Sequence, residues 1–321
     1  MNNFGNMSTF VRQNPIIIKN MTLKACIKSM RLRTLPLSLA GVILGVFLAV
    51  DTASVKPWSA VLIFLTTVCL QILSNLSNEL GDNLSGTDSA DRQGPQYALG
   101  SGELTISDIK KLIVAFVVLC VVSGLAMIQV SFGSIFKTES ICLEVLGALA
   151  IVGAVKYTLG KNPYGYRGLG DISVFIFFGL VSVLGSYYVA AGTLPTAVML
   201  LPASAIGLFS VGVLNINNIR DMKTDAVNRV TVAIKLGVKR AKIYQTILIV
   251  LGWILMYVFC VLYKSNPHHA LANFIVLPLL IFHLRGVWTK EDAALDPYLP
   301  LLVMSTFLLS ILFGAGLLIF N

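Results

Sequence analysis

An all-helical membrane bundle of about nine spans is the fold class this sequence predicts, and three observations carry that expectation. Of 321 residues, 56% are hydrophobic and only 12% are charged, about half the charged share of an average soluble domain. A soluble fold could not cover its surface with so few polar groups. Apolar runs long enough to cross a hydrocarbon core, roughly 17 to 25 residues, recur along the whole chain. The basic residues then alternate by loop: of the 24 Lys and Arg, all but Lys56, Lys137 and Lys264 fall before the first run or in every second loop after it.

The runs lie at about 35–51, 58–80, 110–131, 141–158, 172–191, 194–215, 241–263, 268–287 and 299–320. Residues 1–29 read as a polar tail, with no apolar stretch beside a small-residue cleavage site, so no removable signal peptide is expected and the first span serves as the anchor. Residues 30–321 read as one transmembrane domain. By the positive-inside rule the N-terminus and the basic loops face the cytoplasm, and the C-terminus lies outside. The net charge of +9 therefore belongs to a lipid bilayer partner, and no nucleic acid is implied. Five cysteines, Cys26, Cys69, Cys120, Cys142 and Cys260, show no ligand or redox spacing and read as packing residues. His268, His269 and His283 have no carboxylate near them in sequence and are left without a role.

Carboxylates at a membrane edge are costly and are usually functional. Here six of the fifteen gather in two stretches. One closes the second span, from Asn75 through Asn78, Glu79, Asp82 and Asp88 to Asp91. The other closes the sixth, from Asn215 through Asn218, Arg220 and Asp221 to Asp225. Each opens a cytoplasmic motif loop, at about 81–109 and 216–240. Positions i, i+3 and i+7 share one face of a helix. Asn75, Asn78 and Asp82 have that spacing, and so do Asn218, Asp221 and Asp225, 143 residues later. Two such stripes read as a weak internal repeat facing one cavity. Their chemistry suits Mg²⁺, which takes oxygen ligands and is typically held by one or two carboxylates together with substrate phosphates. The bland alternative is solvated helix-end charge, which would be the better account of either Asp alone.

A third polar stretch, Lys156 to Asp171, carries enough glycine and proline to be a loop. Lys156, Lys161 and Arg167 supply positive charge for a phosphate, while Tyr157, Tyr164 and Tyr166 supply hydrogen bonds or an aromatic wall. A topogenic basic loop beside interfacial tyrosines is the competing account.

At these residues the chain resembles the UbiA-type intramembrane prenyltransferases, and within them the branch that prenylates 1,4-dihydroxy-2-naphthoate in menaquinone biosynthesis. Met30 to Pro36 is similar to the family's leading segment, Asn75 to Pro95 to its first acidic motif, Pro163 to Asp171 to its PYGYxGLGD loop, and Asn217 to Asp225 to its second acidic motif. Gly86 followed by Asp88, then Asp91-Arg92 and Gly94-Pro95, matches the naphthoate branch. Glu79 stands where the broad family has Asp. The Gly-Lys pair often found after the second motif is absent, so Arg229 receives no role.

The resemblance implies nine helices around a central cavity in the bacterial cytoplasmic membrane, with the site facing the cytoplasm. It implies transfer of a polyprenyl chain from polyprenyl diphosphate to 1,4-dihydroxy-2-naphthoate with loss of carbon dioxide, giving demethylmenaquinone. Mg²⁺ would be held by Asn78, Glu79, Asp82, Asp88, Asp221 and Asp225. Arg220, Lys156, Tyr157, Lys161 and Arg167 would serve the diphosphate, with Asn75 also on the substrate. Arg31 or Arg33 would hold an acidic substrate, and Asp171 would orient a hydroxyl or assist proton removal. Two alternatives stay open at this point: another aromatic acceptor (4-hydroxybenzoate, homogentisate or haem), and an ion-coupled secondary transporter.

Overall fold

A computed structural model describes residues 21–86, 95–263 and 267–320. Asp88 and Asp91 lie outside the described residues. Among these, nine helical stretches are long and apolar enough to cross a membrane. The helices are α1 (Leu23–Met30), α2 (Leu35–Thr52), α3 (Pro57–Leu84), α4 (Ile106–Phe132), α5 (Thr138–Lys156), α6 (Gly170–Ala191), α7 (Leu200–Arg220), α8 (Met222–Asp225), α9 (Val232–Leu262), α10 (Leu271–Thr289) and α11 (Tyr298–Ile319). The bundle closes because α11 packs back against α2, which also touches α3 and α6.

Local chemistry sets the ends. Pro57 occupies the first turn of α3, where its missing N–H costs nothing. Thr105 and Asp108 form a reciprocal capping box at the start of α4, and Gly133 ends that helix in the left-handed region. The segment expected to be tail ends in α1, capped by the Thr22 side chain and packed on α3 with Ala25, Cys26 and Ser29 buried. Arg31 then adopts a left-handed conformation, φ 51° and ψ 51°, and turns the chain into α2. Its φ is positive without the glycine that usually permits it.

α3 is 28 residues long, about 42 Å at 1.5 Å per residue, against roughly 30 Å of hydrocarbon. The sequence places the span end at about residue 80, but the helix continues to Leu84. The first acidic stretch up to Asp82 is therefore helix, and its loop starts later than expected. α7 behaves differently. It stops at Arg220, and α8 is a separate short turn, so Asn218, Asp221 and Asp225 are not on one continuous helical face. That corrects the second stripe. α6 contains a π-helical stretch, Phe175–Gly185, which packs against α7. Gly179 permits the contact: a β-carbon there would lie 2.6 Å from the Gly207 Cα.

Candidate active site

A cavity of about 820 Å³ runs through the bundle, within the range usual for ligand sites. Its interior is mostly apolar, with walls that include Val117, Val121 and Leu125 of α4 and Phe177, Phe178 and Val181 of α6. The polar stretches gather at one end. Asn75, Asn78 and Asp82 of α3 line the cavity, as do Asn217 and Asn218 of α7, Tyr157, Asp171, Arg31, Arg33 and Arg229.

Arg229 joins the two acidic stretches. Its Nη2 lies 2.6 Å from an oxygen of Asp225, and its Nη1 lies 3.7 Å from one of Asp82. The Asp82 carboxylate also accepts a hydrogen bond of 2.8 Å from the Tyr166 hydroxyl. Burial pushes the Tyr166 phenol upward, and the Asp82 charge adds to that, so the hydroxyl keeps its proton and stays a donor. The Tyr166 carbonyl accepts from the Val230 N–H at 3.0 Å, which ties this loop to the chain after the second acidic stretch. Burial also raises the Asp225 carboxyl, with Arg229 working in the opposite direction. The second Asp225 oxygen is buried and has no hydrogen-bond partner among the described residues.

Other expected members are spent elsewhere. Asp221 and Arg220, which are 1% and 2% exposed, form a buried ion pair through both carboxylate oxygens, and Arg220 also reaches Asp296. Neither lines the cavity, because this cluster faces the start of α11. Glu79 is fully buried and accepts from the Leu99 N–H at 2.8 Å and the Ser29 hydroxyl at 3.1 Å. It pins the segment after the first acidic motif to α1 and does not face the cavity. Asn75 donates to the Met30 carbonyl and to Thr34, bracing the Arg31 turn. Lys156, Lys161 and Arg167 are exposed and stand outside the cavity wall. Asp171 lines it and accepts a hydrogen bond of 3.0 Å from Tyr244. His283 is buried between Gln245 and the Tyr298 carbonyl, a packing role consistent with the absence of any ligand pattern.

Sequence reasoning passed over several side chains that the fold brings in. Arg229 had a usable signal, since it follows Asp225 by four residues on the same turn. Tyr97, Tyr244 and Asp296 had none, because their partners lie far away in the chain. Glu144, six residues into α5, also lines the cavity, and one of its carboxylate oxygens has no partner among the described residues.

Among the described residues no three or more His, Cys, Asp and Glu side chains converge into a closed metal cage. Asp82 lines the cavity with the amides of Asn78 and Asn218, and Arg229 links it to Asp225, which lies outside the lining and has one unpartnered buried oxygen among the described residues. An incomplete oxygen set of this kind fits a hard cation that takes its remaining ligands from a substrate phosphate.

The chain is 38% identical over 299 residues to the 1,4-dihydroxy-2-naphthoate octaprenyltransferase of Escherichia coli, spanning 92% of this chain and 95% of that one. It is 35% identical over 304 residues to the Haemophilus influenzae protein of the same name, spanning 94% and 97%. Among solved structures, the fold matches a UbiA homologue from Aeropyrum pernix with a TM-score of 0.65 at 17% identity, covering 91% of this chain and 97% of that one. It also matches a UbiA homologue from Archaeoglobus fulgidus bound to GPP and Mg²⁺, with a TM-score of 0.64 at 16% identity, covering 92% and 98%. The model of the UbiA prenyltransferase family matches residues 38–319, and the chain is a member of that family.

Proposed function

We infer that this membrane protein transfers a polyprenyl chain from its diphosphate to 1,4-dihydroxy-2-naphthoate, releasing diphosphate and carbon dioxide and giving demethylmenaquinone. The observation that carries the reading is a cavity with two chemistries: an apolar interior, and at one end Asp82, Asn78, Asn218 and Arg229 in its wall, with Arg229 reaching beyond the lining to Asp225. The names of the relatives that match nearly the whole chain support the acceptor.

Each side chain has a task. Asp82, Asp225, Asn78 and Asn218 would hold Mg²⁺, which when bound draws negative charge onto the leaving diphosphate. Arg229 sits between the carboxylates with its Nε unpartnered among the described residues, so it can turn toward the diphosphate without abandoning Asp225. Tyr166 keeps Asp82 aimed at the cavity. Arg31 and Arg33 face the acceptor carboxylate, and Asp171, steadied by Tyr244, lies where it can orient a ring hydroxyl. The apolar walls accommodate the tail and keep water from the allylic cation. An ion-coupled transporter would need its paired acids deep within spans, whereas Asp82 lies in the last turn of α3 and Asp225 beyond the end of α7.

The distribution of basic residues among the loops supports an orientation with this end of the cavity on the cytoplasmic side, and the bacterial relatives support an inner membrane. A cysteine placed at Ser85 should react with an impermeant thiol reagent only from the cytoplasmic face. The activity is tested in membranes containing the protein, with Mg²⁺, a radiolabelled polyprenyl diphosphate and a panel of aromatic acids. Label should pass to 1,4-dihydroxy-2-naphthoate, and selective labelling of 4-hydroxybenzoate or homogentisate would replace the acceptor.

A further inference from the structure

A second, smaller cleft of about 340 Å³ opens beside the cavity, and Lys28, Arg33 and Gln96 are among its walls. Arg31, Arg33 and Tyr97 line both spaces, so these three side chains form the partition between them. The partition is built with care. The Arg31 guanidinium lies over the Tyr97 ring at 3.6 Å, and the Tyr97 hydroxyl accepts from Arg33 Nη2 at 3.2 Å. Tyr97 is itself buried, and Asn75 holds the turn that carries Arg31.

Arg31 Nε and Nη2 are both buried without a hydrogen-bond partner among the described residues. Those two atoms form one edge of the guanidinium, the fork that grips a carboxylate with two parallel bonds. Two buried donors without partners are costly, and the Arg31 backbone is in a conformation that non-glycine residues seldom adopt. Strain and unmet donors at one residue mark a place made for an anion.

We propose that the carboxylate-bearing acceptor reaches the cavity through this cleft and is handed from Arg33 at the mouth to the free edge of Arg31, with Tyr97 as the positioning residue. This rests on the prenyl-transfer reading given above. The physical reason for a second way in is crowding. Once a prenyl tail fills the apolar interior and its diphosphate sits by Asp82, Asp225 and Arg229, the acceptor cannot pass along that route. The cleft joins the cationic Arg31 and Arg33 to the apolar Ile27, Leu32 and Pro95, a wall that suits a small aromatic anion, so each substrate has its own door.

The experiment blocks the door without touching the groups that hold the substrates. Gln96 is exposed at the cleft. Gln96→Cys in membranes is assayed before and after a bulky methanethiosulfonate reagent, then after reductant, with the unsubstituted protein carried through the same steps to account for the native cysteines. Modification should lower kcat/KM for 1,4-dihydroxy-2-naphthoate by about tenfold, leave the KM for polyprenyl diphosphate within about twofold, and reverse with reductant. Gln96→Trp should give the same split permanently. Tyr97→Phe keeps the ring beneath Arg31 and should raise the acceptor KM less than Tyr97→Leu does. Equal losses toward both substrates, or no loss after complete modification, would overturn the second way in. If the unmodified protein prenylates no hydroxy-aryl acid, the failure belongs to the prenyl-transfer reading instead.

Discussion

Asp82 lies in the last turn of an unbroken helix, whereas Asp225 follows a stretch in which the helix stops at Arg220 and restarts as a single turn. In the first stretch Asn75, Asn78 and Asp82 all reach the cavity. In the second the middle member, Asp221, is turned away and locked to Arg220, and Asp225 meets the other side through Arg229. The same spacing thus puts three polar side chains in the cavity wall on one side, and on the other a buried ion pair and an acid that reaches the wall through Arg229. Repeated spacing in sequence is therefore a guide to which residues matter and a poor guide to what each does.

The largest effect that sharpens the contrast is metal removal. Prenyl transfer in excess chelator should be undetectable and should return with Mg²⁺, because Asp82, Asp225 and a diphosphate otherwise repel one another. Full turnover under chelation would remove the shared task assigned to the two acids. Next, Asp82→Asn and Asp225→Asn should each lower the rate by roughly a hundredfold or more, measured in membranes holding equal amounts of folded protein. Near wild-type turnover in one of them would make the two regions unequal in function as well as in shape.

Asp221→Asn probes the scaffold side. It leaves the buried Arg220 with Asp296 alone among its carboxylates, and breaking a buried pair costs about 3 to 5 kcal/mol. The expected result is a lower thermal transition, while the protein that remains folded keeps the KM for both substrates. A rate loss like that of Asp82→Asn at unchanged stability would put Asp221 at the metal.

A smaller effect follows from pH. Burial raises the Asp225 carboxyl above its usual range, so the folded protein holds this proton more tightly than the unfolded chain does. Its contribution to stability is therefore most favourable in acid and declines as pH rises from the unfolded to the folded pKa. Mg²⁺ needs the ionised form, so its half-saturating concentration should rise on acidification, starting at a higher pH than an ordinary carboxylate would dictate. Asp225→Asn should lose that component of the profile. Smallest of all, Lys161→Gln on the exposed loop should change stability by no more than about 0.5 kcal/mol and leave the rate nearly untouched. A rate loss of tenfold would bring Lys161 back to the diphosphate.

The spans were legible because long apolar runs have few other fates, and the Asn75 to Asp82 face was legible because nothing interrupts α3. The second face was not. Its helix stops where Arg220 grips Asp221 and also Asp296, which is 76 residues further along the chain, and no local pattern announces such a partner. Glu79 was not placed by the sequence for a related reason: a carboxylate in an acidic motif can turn one oxygen to a backbone N–H, here that of Leu99, and away from the cavity. Lys156, at the end of α5, and Lys161 and Arg167 in the loop after it carry the right charge, yet charge does not tell which way a side chain turns.

Tyr166 has a consequence for how this molecule can vary. Its carbonyl is fastened to Val230 in the second half and its phenol to Asp82 and Ser85 in the first. The end of α3 at Asp82 and the chain five residues beyond Asp225 are therefore tied across a measuring rod, the length of one tyrosine side chain. Losing its tip, as in Tyr166→Phe, would leave the halves in place but the gauge between them unset. An added residue in the Pro163 to Gly168 turn would shift the rod without touching an acid, so this short loop should tolerate substitutions at its exposed positions far better than any change in its length.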